Sequence, residues 1–474
     1  MKNADKFFID GAWVASSRDE LIDVINPATE QVVARIANGC SVDVDKAVIA
    51  AQKAFESFSQ TSIEARLEML ERIREGLIKH TPEIARLISA EMGAPMTFAR
   101  DAQAATCVAH ADAMIAVLKD FNFEQVVGNT LITKEPIGVV GLIAPWNWPL
   151  NQVVCKVLPA IASGCTIVLK PSEVAPLDAI LFADILTEAG VPPGVFNLVN
   201  GDGPSVGHAI STHPGIHMVS FTGSTRAGIQ VAKAAAETVK RVTQELGGKS
   251  PNIILDDADL ATVVKAGVEH CFSNSGQSCD APTLMYVPAA LYEEAVSIAA
   301  KAGAALKVGN PDSEDTDLGP VANRNQFNRI QELIKSGINQ GARTVIGGEG
   351  RPDALKEGFY VKPTIFADAT PDMRIVQEEI FGPVLVMLPY DDEKALINAI
   401  NAADYGLAAY VQSRSRERAR KVARQIRAGS VYINSPEWNS LVPFGGFRQS
   451  GNGRECGAHG LGEYLEIKAN VGYF

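Results

Sequence analysis

Several features that mark large protein classes are missing from this sequence of 474 residues. No apolar run reaches the ~18 residues that a membrane-spanning helix requires, and the opening segment MKNADKFFIDGAWV lacks the apolar core of a signal peptide. Acidic residues outnumber basic residues by 55 to 43, which does not suit a nucleic-acid backbone as the main partner. We therefore expect a cytoplasmic protein that binds neither membranes nor nucleic acid.

Signatures of disulfide frameworks and metal sites are also missing. The seven cysteines are odd in number, scattered and without CxxC spacing, which is typical of reduced thiols. The seven histidines form no HExxH or similar set, so we expect no metal site. The usual GxGxxG fingerprint is absent too, because Gly201, Gly203 and Gly207 in GDGPSVG do not match its spacing.

The hydrophobic pattern predicts helices first and then alternating strands and helices. After short strands in FFIDGAWV and INPATEQVVARI, we expect three helices before residue 95. Thr61 and Glu64 form a capping-box pattern for the second helix, and Thr81 with Pro82 marks the start of the third. From about residue 137, the runs VVGLIAP, TIVLKP, VFNLVNG and MVSFTGS alternate with helical stretches, which is typical of a doubly wound parallel sheet.

A second α/β series follows ELGGKSP at about residue 250, so the sequence predicts a second domain. Its strand candidates include PNIILDD, GPVLVMLPYDD and SVYINSP. The final segment YLEIKANVGYF is predicted to be a terminal strand, and it would be an exposed edge unless another strand pairs with it.

Polar residues follow the predicted strands of the first series, where ligands of such sheets bind. Asn147 in PWNWP suits either an oxyanion or the capping of a turn. Lys170 and Glu173 in KPSE suit the hydroxyls of a ribose, or they form a solvated charge pair. In TGSTRAG, Ser224 precedes a helix whose free N–H groups suit a pyrophosphate, and Glu245 in QELGGK is either a surface residue or a base.

Cys279 in SNSGQSCDAP is the remaining candidate, and taken alone it reads as a buried, inert thiol or as a nucleophile. The combination of motifs distinguishes these readings. The order and spacing of seven motifs resemble the NAD(P)-dependent aldehyde dehydrogenase superfamily, from FIDGAWV to the terminal strand. The motifs are GLIAPWNWP, LKPSE, FTGSTRAG, ELGGKSPNIIL, GQSC, EEIFGPV and PFGGFRQSGNGRE.

The resemblance implies a fold and a domain organisation. It implies an α/β protein with a Rossmann-like NAD-binding domain over 1–117 and 137–248 and a catalytic α/β domain over 249–450. A small β bridging element, 118–136 and 451–474, would serve oligomerisation into a homodimer or homotetramer.

The resemblance also implies an activity: oxidation of an aldehyde to a carboxylic acid with NAD as hydride acceptor. Cys279 matches the nucleophile that forms a thiohemiacetal and then a thioester, and Glu245 matches the base that activates the hydrolytic water. Asn147 matches the donor that stabilises the oxyanion together with the Cys279 N–H, and Lys156 matches a lysine near the same site. We expect NAD rather than NADP, because Glu173 would repel a 2′-phosphate.

Further residues match positions that contact the two ligands. Those implied for the cofactor are Ile143, Ala144, Pro145, Trp146, Lys170, Ser172, Glu173, Gly203, Gly207, Phe221, Thr222, Gly223, Ser224, Leu246, Glu379 and Phe381. Those implied for the aldehyde substrate are Trp148, Asn151, Gln152, Cys155, Ser278, Asp280, Trp438 and Phe444.

The sequence departs from the family pattern directly after the nucleophile. Asp280, Ala281 and Pro282 replace a hydrophobic residue followed by Ala-Gly, and Leu284 stands where an arginine is common. We expect Asp280 to have a small effect on the thiol, because adjacent side chains of an extended backbone point apart. The identity of the aldehyde stays open, and Glu437 indicates either a cationic substrate or a solvated rim carboxylate.

Three alternative functions fit the sequence less well than this activity. A coenzyme A-acylating dehydrogenase typically lacks the glutamate at the Glu245 position. A thiol hydrolase would pair Cys279 with a histidine such as His270, and it would leave the sheet motifs unexplained. An inactive structural member of the fold would not need Cys279, Glu245 and Asn147 together.

Overall fold

The computed structural model describes residues 2–474 and contains two large β-sheets, two small ones and a set of helices packed on them. The strands are β1 Lys6–Ile9, β2 Ala12–Ala15, β3 Leu21–Ile25, β4 Val32–Ala37, β5 Glu124–Val127, β6 Thr130–Pro136, β7 Val139–Ile143, β8 Thr166–Lys170, β9 Phe196–Leu198, β10 Met218–Thr222, β11 Arg241–Glu245, β12 Pro251–Ile254, β13 Leu284–Pro288, β14 Arg343–Ile346, β15 Thr364–Ala367, β16 Val384–Tyr390, β17 Ala408–Gln412, β18 Ser430–Ile433, β19 Gly451–Asn452 and β20 Leu465–Val471.

The helices are α1 Ser41–Phe58, α2 Ile63–Met92, α3 Met96–Phe98, α4 Ala105–Asp120, α5 Pro149–Ser163, α6 Leu177–Glu188, α7 His208–Thr212, α8 Thr225–Ala235, α9 Leu260–Phe272, α10 Tyr292–Ala305, α11 Arg324–Asn339, α12 Arg374–Gln377, α13 Glu393–Ala402, α14 Arg416–Ala423 and α15 Gly457–Glu463. Short irregular helical turns connect some of these elements.

The first large sheet has the strand order β19-β11-β10-β7-β8-β9-β1-β2. Its five central strands, β11 to β9 in that order, are parallel, whereas β19 and β1 pair antiparallel at either side. Every residue of β7, β8, β9 and β10 is buried, because helices cover both faces of the sheet. The predicted parallel sheet with helices on it is confirmed.

The second large sheet has the order β14-β15-β16-β13-β12-β17-β18 and is parallel except for β14. Its strands all come from residues after 250, whereas the first sheet takes its strands from residues 6–245 and from β19. The expectation of a second α/β series is confirmed. The domain boundaries given above remain predictions.

The helical front segment differs from its prediction in one respect, because α2 runs without a break through Pro82. A proline inside a helix removes one hydrogen bond and costs ~3 kcal/mol. The cost is tolerated here because Ile73, Leu77, Ile84 and Ile88, on both sides of the proline, are fully buried on one face. The helix also begins one residue later than expected, since Ser62 rather than Thr61 accepts the capping bond, from the Ala65 N–H at 3.2 Å.

The predicted terminal strand, β20, pairs antiparallel with β6 in a three-stranded sheet of order β20-β6-β5. Its second edge has no partner strand within residues 2–474, and Ile467 and Val471 on it are 72% and 79% exposed. The chain thus keeps one open strand edge at this small sheet.

The carboxyl ends of the parallel strands place the motif residues of the first sheet at one edge. PWNWP follows β7, KPSE begins at the last residue of β8, and TGSTRAG begins at the last residue of β10. Glu245 is the last residue of β11 and pairs with Thr222 in the adjacent strand. No helix within residues 2–474 is long and apolar enough to cross a membrane.

Candidate active site

The PWNWP turn joins β7 to α5 and fixes Asn147 in the interior. Pro149 occupies the first position of α5, where its missing N–H costs nothing, so the helix starts directly after Trp148. Asn147 is buried, and its side-chain amide donates to the Gln277 carbonyl at 3.0 Å. Because an asparagine amide carries two N–H donors, one remains available beside the GQSC segment.

The segment before Cys279 has an unusual backbone that the surrounding hydrogen bonds hold in place. After α9 ends, Asn274, Ser275 and Gly276 adopt φ values of 55°, 54° and 72°. A side chain at Gly276 would overlap the Gly382 carbonyl, so only glycine fits there. The Asn274 amide donates to the Asn147 carbonyl at 2.9 Å, which ties the segment to the PWNWP turn.

Cys279 lies where two cavities meet, and within residues 2–474 it is the single residue that lines both of them. One cavity, of about 320 Å³, runs past α4, α5 and the segment around 438–456. The other, of about 290 Å³, lies along the carboxyl ends of β7, β10 and β11. A molecule in either cavity therefore has access to the Cys279 residue.

The second cavity contains many of the residues predicted to hold the cofactor. Trp146 and Phe381 pack edge to face across it, with ring centroids 5.5 Å apart. Ser224 caps α8 by accepting the Ala227 N–H, so the N-terminus of this helix faces the same region. The predicted cofactor residues that line this cleft are Pro145, Trp146, Thr222, Gly223, Ser224, Leu246, Glu379 and Phe381.

Glu379 is held so that its carboxylate faces the cleft. One carboxylate oxygen accepts the Gly248 N–H at 2.9 Å, and the other lies so close to Gly247 that a side chain there would overlap it. Burial raises the pKa of Glu379 to about 7. A carboxylate so placed suits hydroxyl groups, such as those of a ribose.

The other predicted cofactor residues lie outside the lining of this cleft. Lys170 donates to Glu173 at 3.0 Å, and Gly207 approaches the Lys170 side chain so closely that an added Cβ would lie 3.7 Å from it. Lys170 and Glu173 thus form a second polar cluster after β8. The remaining predicted cofactor residues outside the cleft lining are Ile143 and Phe221 in β7 and β10, Ala144 directly after β7, Ser172 in KPSE, and Gly203 in the turn before α7.

Glu245 lines the cofactor cleft and is 4% exposed, yet neither of its carboxylate oxygens has a hydrogen-bond partner. Burial raises the pKa of Glu245 well above its usual range, and the nearby Glu455 carboxylate raises it further. A buried carboxylate without partners is costly unless it serves a ligand or a proton. Its raised pKa suits a group that takes up a proton near neutral pH.

The Cys279 thiol has a pKa well above its usual value, first because of burial and then because of four carboxylates. Asp280 makes the largest contribution among these charges, ahead of Glu245, Glu379 and Glu455. This rank goes against the expectation that Asp280 has only a small effect on the thiol. Asp280 is half-buried and lines the same cavity as Cys279, so its charge acts on the thiol across that shared cavity.

Glu455 is a site residue that the sequence reading missed. It lines the substrate-side cavity, pairs with the Lys156 ammonium and accepts from the Cys155 thiol at 3.4 Å. Lys156 is fully buried behind the cavity wall and also donates to Thr222 at 2.6 Å. Glu455 closes the motif PFGGFRQSGNGRE, so its position in that motif was the signal available.

The substrate-side cavity is lined by all eight residues predicted for the aldehyde, which are Trp148, Asn151, Gln152, Cys155, Ser278, Asp280, Trp438 and Phe444. Trp148 donates to Ser278 at 2.9 Å, and Trp438 packs edge to face on Phe444 at 5.4 Å. Residues not predicted also line it, among them Phe98, His110, His270 and Cys456. The result is a passage, partly aromatic and partly polar, that ends at Cys279.

No group of three or more histidine, cysteine or acidic side chains in the described part of the chain, residues 2–474, is arranged to hold a metal ion. All seven cysteines are free thiols. The nucleophile candidate, the carboxylates around it and the two cavities thus make up the site.

The Cys279 thiol lies between a cleft at the carboxyl ends of parallel strands, where ligands of such sheets bind, and a second cavity with aromatic side chains, which indicates a cysteine-dependent oxidoreductase. The model of the aldehyde dehydrogenase family matches residues 13–470 of the chain. The chain therefore belongs to the aldehyde dehydrogenase family, as the sequence motifs predicted.

Individual relatives are similar over their whole length. A 3-succinoylsemialdehyde-pyridine dehydrogenase of a Pseudomonas species is 50% identical over 100% of this chain and 99% of the relative. The crystal structure of a mutant aldehyde dehydrogenase C from Pseudomonas syringae, in complex with NAD+ and octanal, is 52% identical and superimposes with a TM-score of 0.99, covering 100% and 97% of the two chains. An aldehyde dehydrogenase structure from Bartonella henselae is 47% identical, with a TM-score of 0.98 and full coverage of both chains.

Replacing Asp280 by asparagine is expected to make Cys279 more reactive. Removing a negative charge favours the thiolate, so the pKa of Cys279 falls and more thiolate is present at a given pH. Alkylation of Cys279 by iodoacetamide at pH 8, followed by peptide mass spectrometry, should be roughly threefold to tenfold faster, as expected for a charge interaction of ~1 kcal/mol. Glu437→Gln, which removes an exposed carboxylate outside the cavity lining, is the matched control and should leave the rate unchanged. An unchanged rate in Asp280→Asn would contradict the role of this charge.

Proposed function

We propose that the protein oxidises an aldehyde to a carboxylic acid, with NAD as the hydride acceptor and Cys279 as the nucleophile. The observation that carries this proposal is the position of Cys279 as the residue common to both cavities, with Glu245 on the cofactor side. An aldehyde, a water molecule and NAD give the acid, NADH and a proton. The presence of Glu245 favours hydrolysis over transfer of the acyl group to coenzyme A.

The residues of the chain account for the acid–base and nucleophilic steps. The Cys279 thiol loses its proton and adds to the aldehyde carbon, giving a thiohemiacetal whose oxyanion is positioned near the free N–H of Asn147. Loss of hydride leaves a thioester on Cys279. Glu245 then takes a proton from a water molecule that attacks the thioester, and the acid leaves while the thiol is restored.

The residues that line the cleft are suited to bind NAD. Glu379 offers a carboxylate oxygen toward the cleft, the first turn of α8 offers free N–H groups, and Trp146 and Phe381, packed edge to face, provide an aromatic boundary. Bound NAD supplies the hydride acceptor. The chain binds it, orients it toward Cys279 and keeps bulk water away from the thiol.

Replacing Cys279 by alanine is expected to abolish NADH production, measured by absorbance, while NAD binding stays nearly intact in a titration of tryptophan fluorescence.

Glu245→Gln is expected to give one turnover of NADH and then to stall as the thioester, because the hydrolytic water is no longer activated. Intact-mass spectrometry of the stalled enzyme should show the acyl group on Cys279. Cys271→Ala, which changes a buried cysteine outside both cavities, is the control and should keep steady turnover.

The preference for NAD over NADP is expected to depend on Glu173. A 2′-phosphate beside this carboxylate is repelled, and the Lys170 partner at 3.0 Å offsets only part of that repulsion. A preference of roughly tenfold in kcat/KM corresponds to ~1.4 kcal/mol. Glu173→Gln should narrow the ratio by improving the use of NADP. Equal efficiencies with both cofactors in the wild-type protein would contradict this expectation.

We also propose that the protein is a cytoplasmic homo-oligomer, a dimer or tetramer, assembled through the three-stranded sheet. The open edge of β20 and its exposed apolar residues favour pairing with a second copy.

Light scattering at micromolar concentration should give the mass of two or four chains. Ile467→Lys should lower that mass, whereas Ile49→Lys, at a residue 65% exposed on α1, should not. A wild-type monomer would refute the proposal.

A further inference from the structure

The charges in the substrate-side cavity are unbalanced. Its lining includes two carboxylates, Asp280 and Glu455, and no lysine or arginine from residues 2–474. Glu455 is compensated, since the buried Lys156 ammonium pairs with it. No described lysine or arginine lies within salt-bridge distance of Asp280. One half-buried carboxylate next to the nucleophile therefore has no cation of the protein to balance it.

The groups around Asp280 fix its position without neutralising it. The Tyr410 hydroxyl donates to the Asp280 backbone carbonyl at 3.1 Å, and the Tyr410 ring packs between His270 and Tyr432 at centroid distances of 5.0 Å. Burial lowers the pKa of His270 more than the Asp280 charge raises it, which favours the neutral ring over a cation that would balance Asp280. The surrounding residues therefore fix the position of Asp280, and its negative charge is available to a ligand.

We propose that Asp280 selects aldehydes that carry a positively charged nitrogen group and rejects aldehydes that carry a carboxylate. The inference rests on the proposed function and names the substrate class of that same site. A cation that enters the cavity meets the half-buried Asp280 carboxylate and the aromatic side chains of Trp148, Trp438 and Phe444. A carboxylated aldehyde meets Asp280 and Glu455 instead, with no arginine to receive it.

The same charge links substrate binding to the nucleophile. Asp280 opposes formation of the Cys279 thiolate while the cavity holds no cation, so the thiol rests in its protonated, less reactive form. A cationic group beside Asp280 offsets that negative charge and favours the thiolate. The substrate that fits the cavity thus helps to activate the residue that attacks it.

Three benzaldehydes with similar shapes test the proposal. They carry trimethylammonio, tert-butyl or carboxylate groups at the para position, and kcat/KM is measured by NADH absorbance with saturating NAD. The decisive quantity is the ratio of the cationic to the tert-butyl substrate, compared between the wild type and Asp280→Asn. Intrinsic differences in aldehyde reactivity cancel in that comparison. We expect the ratio to fall about tenfold in the variant and the use of the carboxylated aldehyde to improve.

Glu437→Gln is the matched control, because it removes an exposed carboxylate near Trp438 that does not line the cavity. Its ratio should stay within twofold of the wild type. An unchanged ratio in Asp280→Asn overturns the proposal, and so does a drop in Glu437→Gln of the same size. Absence of NADH with all three aldehydes in the wild type would instead count against the proposed function.

A binding measurement covers the case in which Asp280→Asn does not turn over any aldehyde. Calorimetric titration with phenyltrimethylammonium should give an affinity about tenfold weaker in this variant than in the wild type, with the folding of both proteins checked by thermal unfolding. Equal affinities in the two proteins would overturn the proposal. Alkylation of Cys279 by iodoacetamide should also be faster in the wild type when phenyltrimethylammonium is present at a concentration that leaves the thiol accessible.

Discussion

The site depends on the hydrogen bonds that join Asn147, Asn274 and Gln277. Asn147 belongs to the turn after β7 of the first sheet, whereas Asn274 and Gln277 lie in the segment that leads into the second sheet. The left-handed backbone at Asn274 and Ser275 is unfavourable for residues other than glycine and persists only where the surroundings hold it. These few bonds therefore set where the nucleophile lies relative to both sheets.

Negative charge dominates the surroundings of the nucleophile. Four carboxylates raise the pKa of one thiol, and within residues 2–474 Glu455 is the only one of them that forms a salt bridge with a buried cation, Lys156. The raised pKa lowers the reactivity of the Cys279 thiol while no ligand is bound, because a protonated thiol is a poor nucleophile. It also keeps an idle thiol from reacting with oxidants and stray electrophiles. The negative charge thus favours the protonated form of Cys279, and a ligand that brings positive charge would offset this effect.

The sequence motifs were sufficient to predict the parallel sheet and the family, and they indicated which residues line the two cavities that meet at Cys279. Each of these depends on local patterns: β-branched runs for the strands, and short polar segments such as PWNWP and GQSC at their ends. Glu455 was missed because its importance comes from contacts with Lys156 and Cys155, some 300 residues earlier in the chain. The effect of Asp280 was misjudged because chain geometry says nothing about how much water surrounds two neighbours. Pro82 was misjudged because burial on both sides of it outweighs its local preference.

The two cavities meet at Cys279 from different directions, and this geometry separates the traffic of the reaction. In the proposed reaction, the aldehyde would occupy the passage beside Trp148, Trp438 and Phe444, and NAD would occupy the cleft along the strand ends. In this arrangement neither molecule has to pass the other, so the carboxylic acid and the reduced cofactor would leave through different cavities. Cys279 is the one residue of the described chain, 2–474, that both linings share, so in the proposed reaction an acyl group on its sulfur would lie at the boundary between the two cavities.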